Sequence, residues 1–287
     1  MTQSDFITRF IFDNHSIRGE IVVLEQTITD IFDHHSYPPA VAQVLGEAVV
    51  ATVLLSAILK IDGSTTLQAR GNGPLQLLMA EATHERTVRG IARWQPAVEE
   101  TNASFRTLLG NEATLAITLT PRQGNRYQGI VPLEKPTLAG CIEDYFQQSE
   151  QLRTGLWLFQ HENRTGGVLL QELPARPSFD TAQSWQHIVA LVQTLTAAEL
   201  LSLPPEYVLF RLFHEEQVRL LDTAPVSFAC TCSVERTRQA VSALGEQVAR
   251  DILAEKGVVE TVCQFCHQVY RLDEKQISQI FKKPGLH

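Results

Sequence analysis

The sequence predicts an α+β protein: a mostly antiparallel β core domain with helices, then a helical linker, then a small C-terminal module built around cysteines. Three observations carry this. Short alternating or β-branched segments recur between turn signals from residue 6 to residue 172, as antiparallel strands do. One long apolar run over residues 40–60 follows Pro38-Pro39 and reads as a helix. Four of the five cysteines fall in the last fifth of the 287 residues, as two tight pairs. The expected divisions are a core over residues 1–178, a helical linker or hinge over 179–225, and the cysteine module over 226–287.

At 44% hydrophobic and 20% charged, the chain has material for one large core and a satellite. A formal charge of -8 with no basic tract counts against a nucleic-acid partner. The first thirty residues lack the basic start and apolar run of a secretory leader. A cytoplasmic, reducing setting is therefore expected, where structural disulfides are rare.

Phe6, Phe10 and Phe12 share one face of an opening strand, and residues 17–25 form a second across the turn-like Asp13-Asn14-His15-Ser16. His34 and His35 are read as loop residues rather than a metal site. The apolar helix contains Gln43, Gly46 and Glu47, and a carboxylate near a bilayer centre costs about 2.5–3.5 kcal/mol, so a buried core helix is expected and no membrane partner.

Residues 65–70 and 75–80 read as a hairpin across Gly71-Asn72-Gly73-Pro74, with Asn72 and Gly73 supplying positive φ. A phosphate loop would need Gly-Lys-Ser/Thr opening a helix, and Pro74-Leu75 stands there instead. Further strands are expected at residues 86–94, 113–120, 126–131, 155–160 and 167–172, interrupted by a helix over 138–148. Cys141 near the start of that helix reads as a buried thiol with no role. No Gly-x-Ser-x-Gly or His-Glu-x-x-His pattern occurs, and no enzymatic activity is expected.

Pro174, Pro177 and Ser178 punctuate the end of the core. Trp185, Ile188, Val189, Val192 and Leu195 then recur at helical spacing, and Val208, Leu209, Leu212 and Phe213 follow Pro204-Pro205 in a second helix. Their apolar surface requires a cover, and their position between core and cysteine module reads as a hinge that the module locks. A chain ending near Asp222 would lack that lock.

In the module, Ser233 is read as the N-cap of a single helix carrying Val241, Leu244, Val248 and Ile252 before Gly257. Val258, Val259 and Val262 precede Cys263, and Val269, Tyr270 and Leu272 follow Cys266, so this pair sits in a hairpin turn. Cys230 and Cys232 stand as C-T-C, thirty residues before C-Q-F-C at Cys263 and Cys266. Two thiolate pairs suit one tetrahedral zinc ion per chain. The other readings of the quartet are a thioredoxin-like redox pair, unrelated buried thiols, or substitution of His267 or His214 as ligands.

The C-x-C spacing is tighter than the two to four residues usual between zinc cysteines. Two residues span at most about 7 Å, so each pair can also close a local disulfide. Sulfurs around zinc lie about 3.8 Å apart and bonded sulfurs about 2.05 Å apart, so metal binding and oxidation exclude each other.

The stretch A-P-V-S-F-A-C-T-C-S from Ala224 to Ser233, with Glu235-Arg236, and V-C-Q-F-C from Val262 to Cys266 resemble the zinc-binding redox-switch domain of the 33 kDa chaperonin family, heat shock protein 33. R-G-N-G-P-L from Arg70 to Leu75 fits the same family, and the likeness spans the whole chain. The resemblance implies a redox-regulated, ATP-independent holdase that binds unfolded or partially folded client proteins. It further implies an inactive, reduced, zinc-bound state and activation by oxidants, with zinc release, unfolding and homodimer formation. The expected disulfides join Cys230 to Cys232 and Cys263 to Cys266. Classes weighed beside it are a zinc-ribbon nucleic-acid or partner-binding protein and a thiol oxidoreductase.

Overall fold

The longest apolar run of the sequence forms a 21-residue helix, Pro39–Leu59, that lies between two β-sheets. The structure is a computed structural model and describes residues 5–96, 104–149, 152–174 and 181–282. Pro177 and Ser178, expected to close the core, lie outside the described residues.

In chain order the elements begin with strands β1 (Phe6–Phe12) and β2 (Ile17–Leu24), then helices α1 (Gln26–Phe32) and α2 (Pro39–Leu59). Strands β3 (Gly63–Arg70), β4 (Leu75–Thr83) and β5 (Thr87–Trp94) follow, then α3 (Phe105–Leu109), β6 (Thr114–Pro121) and β7 (Tyr127–Pro132). Next come α4 (Leu138–Ser149), β8 (Thr154–His161), β9 (Arg164–Glu172), α5 (Thr181–Val192), α6 (Ala197–Ser202) and α7 (Pro205–Phe213). The chain continues through β10 (Val218–Pro225), β11 (Ser227–Phe228), α8 (Val234–Leu244), α9 (Glu246–Lys256), β12 (Val259–Val262), β13 (Val269–Leu272) and α10 (Glu274–Phe281). The fold is α+β, and among the described residues there is one parallel pairing, β11 with β5, and antiparallel pairing elsewhere.

The first sheet has the order β10-β1-β2-β9-β8 and the second β11-β5-β4-β3-β6-β7. Helix α2 packs on both, which is why it is apolar on every side. It is long and apolar enough to cross a membrane by length and composition, and it is a core helix here. Its fully buried hydroxyl, Thr52, donates to the Ala48 carbonyl at 2.6 Å and so is not stranded there.

The alternation of β1 divides two cores. Ile7, with Val22 and Leu24 of β2, faces α2, whereas Phe6, Phe10 and Phe12 face the other way. That outer face is covered by α5, α6 and α7 through Ile188, Val192, Leu200, Val208, Leu212 and Phe213. The apolar faces of the 181–213 helices are thus buried on the β1–β2–β9 surface. Tyr207 and Phe210, on the outer side of α7, remain exposed.

Several local readings change. The sequence signals no strand at β10, which pairs with β1 along its length. The residues of the Gly71–Pro74 turn do not adopt positive φ. Its glycines instead admit the backbone of α3: a Cβ on Gly73 would sit 2.5 Å from the Leu108 carbonyl oxygen, and one on Gly71 would overlap that of Leu109. His15 and His187 both reach Glu216, at 2.8 and 2.7 Å, and clamp the β1–β2 turn to α5 and to the turn before β10. Burial opposes ionisation of Glu216, yet hydrogen bonds from His187, Asn14 and His15 outweigh it and hold its carboxyl at about 2.

The chain divides into two compact units, residues 1–229 and 230–287. In the second, the single expected helix is two. Gly245 takes φ 93° between α8 and α9, an angle that only glycine adopts at no cost. The stripe changes with it: Val241 is buried beside Ala249, while Leu244 and Val248 are 55% and 47% exposed.

Candidate metal centre

All four expected cysteine ligands belong to the second unit. The β12–β13 hairpin pairs Val262 with Val269, and the residues between them form the turn. Within it the Cys263 N–H donates to the Gln268 carbonyl at 2.9 Å and the His267 N–H to the Cys263 carbonyl at 2.9 Å. His267 takes φ 55°, which bends the chain back after Cys266. The other pair precedes α8, where the Ser233 side chain caps the helix by accepting from the Arg236 N–H at 3.2 Å. The Arg236 guanidinium also donates to the Thr231 hydroxyl at 2.6 Å, pinning the residue between Cys230 and Cys232.

These two anchored turns bring the sulfurs together. Cys230 Sγ lies 3.6 Å from Cys263 Sγ, and Cys232 Sγ 3.5 Å from Cys266 Sγ. All four sulfurs lie within 4.8 Å of one another, a group that could hold a metal ion. A tetrahedral zinc site requires sulfur separations of about 3.8 Å, so the donor set and its spacing fit. His267 lies in the turn but is not in the group, and His214 belongs to the first unit.

Burial, and then hydrogen bonds among the four sulfurs, push the Cys266 thiol up. The Tyr270 hydroxyl, on β13, donates to Cys232 Sγ at 3.0 Å, and that bond is the main cause that pushes Tyr270 up to about 12. A divalent cation at the centre of the four sulfurs would compensate the charge of four thiolate ligands. Around the cluster the fully packed core is small: Val241, Ala249, Val259, Leu272 and Ile277.

Cys141 lies apart from this group. It is 2% exposed in α4, its thiol donates to the Lys135 carbonyl at 3.5 Å, and burial pushes its pKa up. It is an inert core thiol. Sequence reasoning missed Tyr270 as a partner of the cluster and Arg236 as the pin on Thr231. The sequence marks Tyr270 only as a strand residue, although an alternating hairpin next to C-x-x-C places such a residue near a sulfur.

An α+β unit followed by a small module in which four cysteines converge defines a two-unit protein with a thiol cluster that could hold a metal ion. The chain belongs to the Hsp33 family, whose sequence profile, described as "Hsp33 protein", matches residues 5–273. It is 54% identical to the 33 kDa chaperonin of Hahella chejuensis over 99% of this chain and 100% of that one. It is 45% identical to the 33 kDa chaperonin of Azotobacter vinelandii over 99% of this chain and 97% of that one. Among solved structures it resembles the 33 kDa chaperonin of Thermotoga maritima, with a TM-score of 0.80 at 23% identity, covering 97% of this chain and 98% of that one. Family membership makes chaperoning the function to be explained.

Proposed function

We propose that this protein is a redox-regulated, ATP-independent holdase of the cytoplasm, which binds unfolding proteins and prevents their aggregation under oxidative stress. The observation that carries this reading is the group of four sulfurs within 4.8 Å, set in a module with a five-residue core. So small a core cannot support about sixty residues alone. In the reduced state Cys230, Cys232, Cys263 and Cys266 hold one zinc ion, which supplies charge compensation and folding free energy.

Peroxide or hypochlorite reverses that support. With peroxide, one thiolate of a pair takes an oxygen to become a sulfenic acid and hydroxide leaves. Its partner thiolate then attacks that sulfur, the S–S bond forms, and a second hydroxide leaves. Each pair gives up two electrons, and two peroxides are consumed per chain. Close sulfur contacts run across the pairs, Cys230 to Cys263 and Cys232 to Cys266, as well as within the Cys263 and Cys266 pair, so distance does not select the bridging. Chain connectivity does: partners separated by one or two residues stay neighbours as the module loosens, and cross-pairs do not. The products are therefore disulfides between Cys230 and Cys232 and between Cys263 and Cys266, and the oxidised, metal-free module unfolds. The active form is a homodimer that holds clients.

A thiol oxidoreductase reading is disfavoured by the setting of Cys263 and Cys266, which stand in a hairpin turn rather than at a helix N-terminus. X-ray absorption on the reduced, zinc-loaded protein tests the site. It should give an all-sulfur shell, and a nitrogen in the first shell would refute four-cysteine ligation.

A further inference from the structure

A cleft of about 300 Å³ lies where the C-terminal end of α2 meets β1, β10 and the β4–β5 turn, within the first unit and apart from the four sulfurs. Its volume is at the low end for small-molecule pockets. Ile7, Val53, Ala57 and Ala82 supply apolar walls.

The rim is charged, and its carboxylates are already engaged. Asp222 accepts two bonds from Arg9, at 2.7 and 2.8 Å. Asp62 lies 3.4 Å from His84 and 3.5 Å from Arg122. Lys60 and Arg86 also line the cleft, and neither side chain has a hydrogen-bond or ion-pair partner among the described residues. Asp222 is held below its ordinary range by its bond from Arg9, and the charges of Arg9, Arg86 and Lys60 add to that.

Both unpaired cations stand where the backbone would favour glycine. Lys60 ends α2 at φ 47°, and Arg86 closes the β4–β5 turn at φ 63°. Glycine adopts such angles freely, and long side chains do so at a cost. Backbone geometry alone does not select two cations around one cleft.

We propose that this cleft binds a small amphipathic anion, a carboxylate or phosphate monoester carrying a short apolar tail. Lys60 and Arg86 hold the head, and the apolar walls take the tail. Isothermal titration of the reduced, full-length protein tests this with octanoate, octyl phosphate, 1-octanol and inorganic phosphate. Saturable binding of octanoate or octyl phosphate at one per chain is expected, with the two arms separating the head groups and no matching signal from octanol or free phosphate.

Lys60→Gly and Arg86→Gly suit the local φ, so their melting temperatures should equal or exceed the parent's. Each should weaken binding about tenfold, the order of one charge-assisted hydrogen bond, and the double variant should abolish it. The proposal is overturned if neither anion binds saturably, if octanol or free phosphate binds as tightly, or if the double glycine variant binds like the parent.

Discussion

The Tyr270 hydroxyl and the Cys232 sulfur lie 3.0 Å apart, joining strand β13 to the C-x-C turn that precedes α8. An O–H donor on a thiolate ligand draws off charge, which fixes the ligand and damps its nucleophilicity. Tyr270→Phe keeps the ring and removes that donor. Zinc affinity should fall about tenfold, as for other second-layer partners of metal ligands. Metal loss under peroxide should quicken several-fold, read with a chromogenic chelator in stopped flow.

Chelating the metal under reducing conditions should unfold residues 230–287 and leave residues 5–229 folded. The second unit has a core of five fully buried apolar side chains, whereas the first has two extensive cores. Zinc binding supplies apparent free energies of about 10–16 kcal/mol in small metal peptides, more than such a core offers. Hydrogen exchange should show protection lost from α8 to α10 alone.

Peptide mapping of the peroxide-treated protein should find Cys230 bridged to Cys232 and Cys263 to Cys266, with Cys141 reduced. Dominant bridges between Cys230 and Cys263, the pair now 3.6 Å apart, would show that oxidation outruns unfolding.

Glu20 on β2 is 3% exposed, and burial pushes its carboxyl up to about 8 against the charges of Arg18, Arg9 and Lys60. Its folded pKa lies above the ordinary 4.5. The stability that its bound proton contributes is therefore full below about 4.5 and is lost as pH rises to about 8. The melting temperature of the first unit should carry this decline. Glu20→Gln, which mimics the protonated form, should flatten it and be the more stable protein at pH values above 8.

Much of this architecture is legible in the sequence because it is local. The apolar run of α2, the alternation of β1 and β2, and the strands flanking C-Q-F-C all announce themselves within a few residues. Strand β10 does not. Its Leu220-Leu221 breaks any alternation, five successive residues are exposed, and it is a strand because β1 offers a free edge more than two hundred residues earlier. The break at Gly245 was hidden by a continuous helical stripe. Gly71 and Gly73 looked like turn residues, because the α3 backbone that presses on them is distant in sequence. The four cysteines were found by spacing alone, while Tyr270 and Arg236 required the folded hairpin and cap.

Strand β10 alters one test. The sequence suggested a cut near Asp222, but that residue lies inside β10 and pairs with Arg9. A chain ending at Ala229, the boundary of the first unit, removes the cysteine module and spares the strand. It should suppress client aggregation without oxidant, at the level of the oxidised full chain. Protection no better than that of the reduced full chain would assign the client surface to the unfolded residues 230–287.

Redox control of holding is tested most directly by light scattering from a chemically denatured client, with released zinc read in the same cuvette. The reduced, zinc-loaded protein should leave aggregation unchanged. Peroxide-treated protein should suppress it, with protection rising in step with the loss of one zinc ion per chain. Equal protection by both forms, or protection that appears while the zinc stays bound, would contradict it.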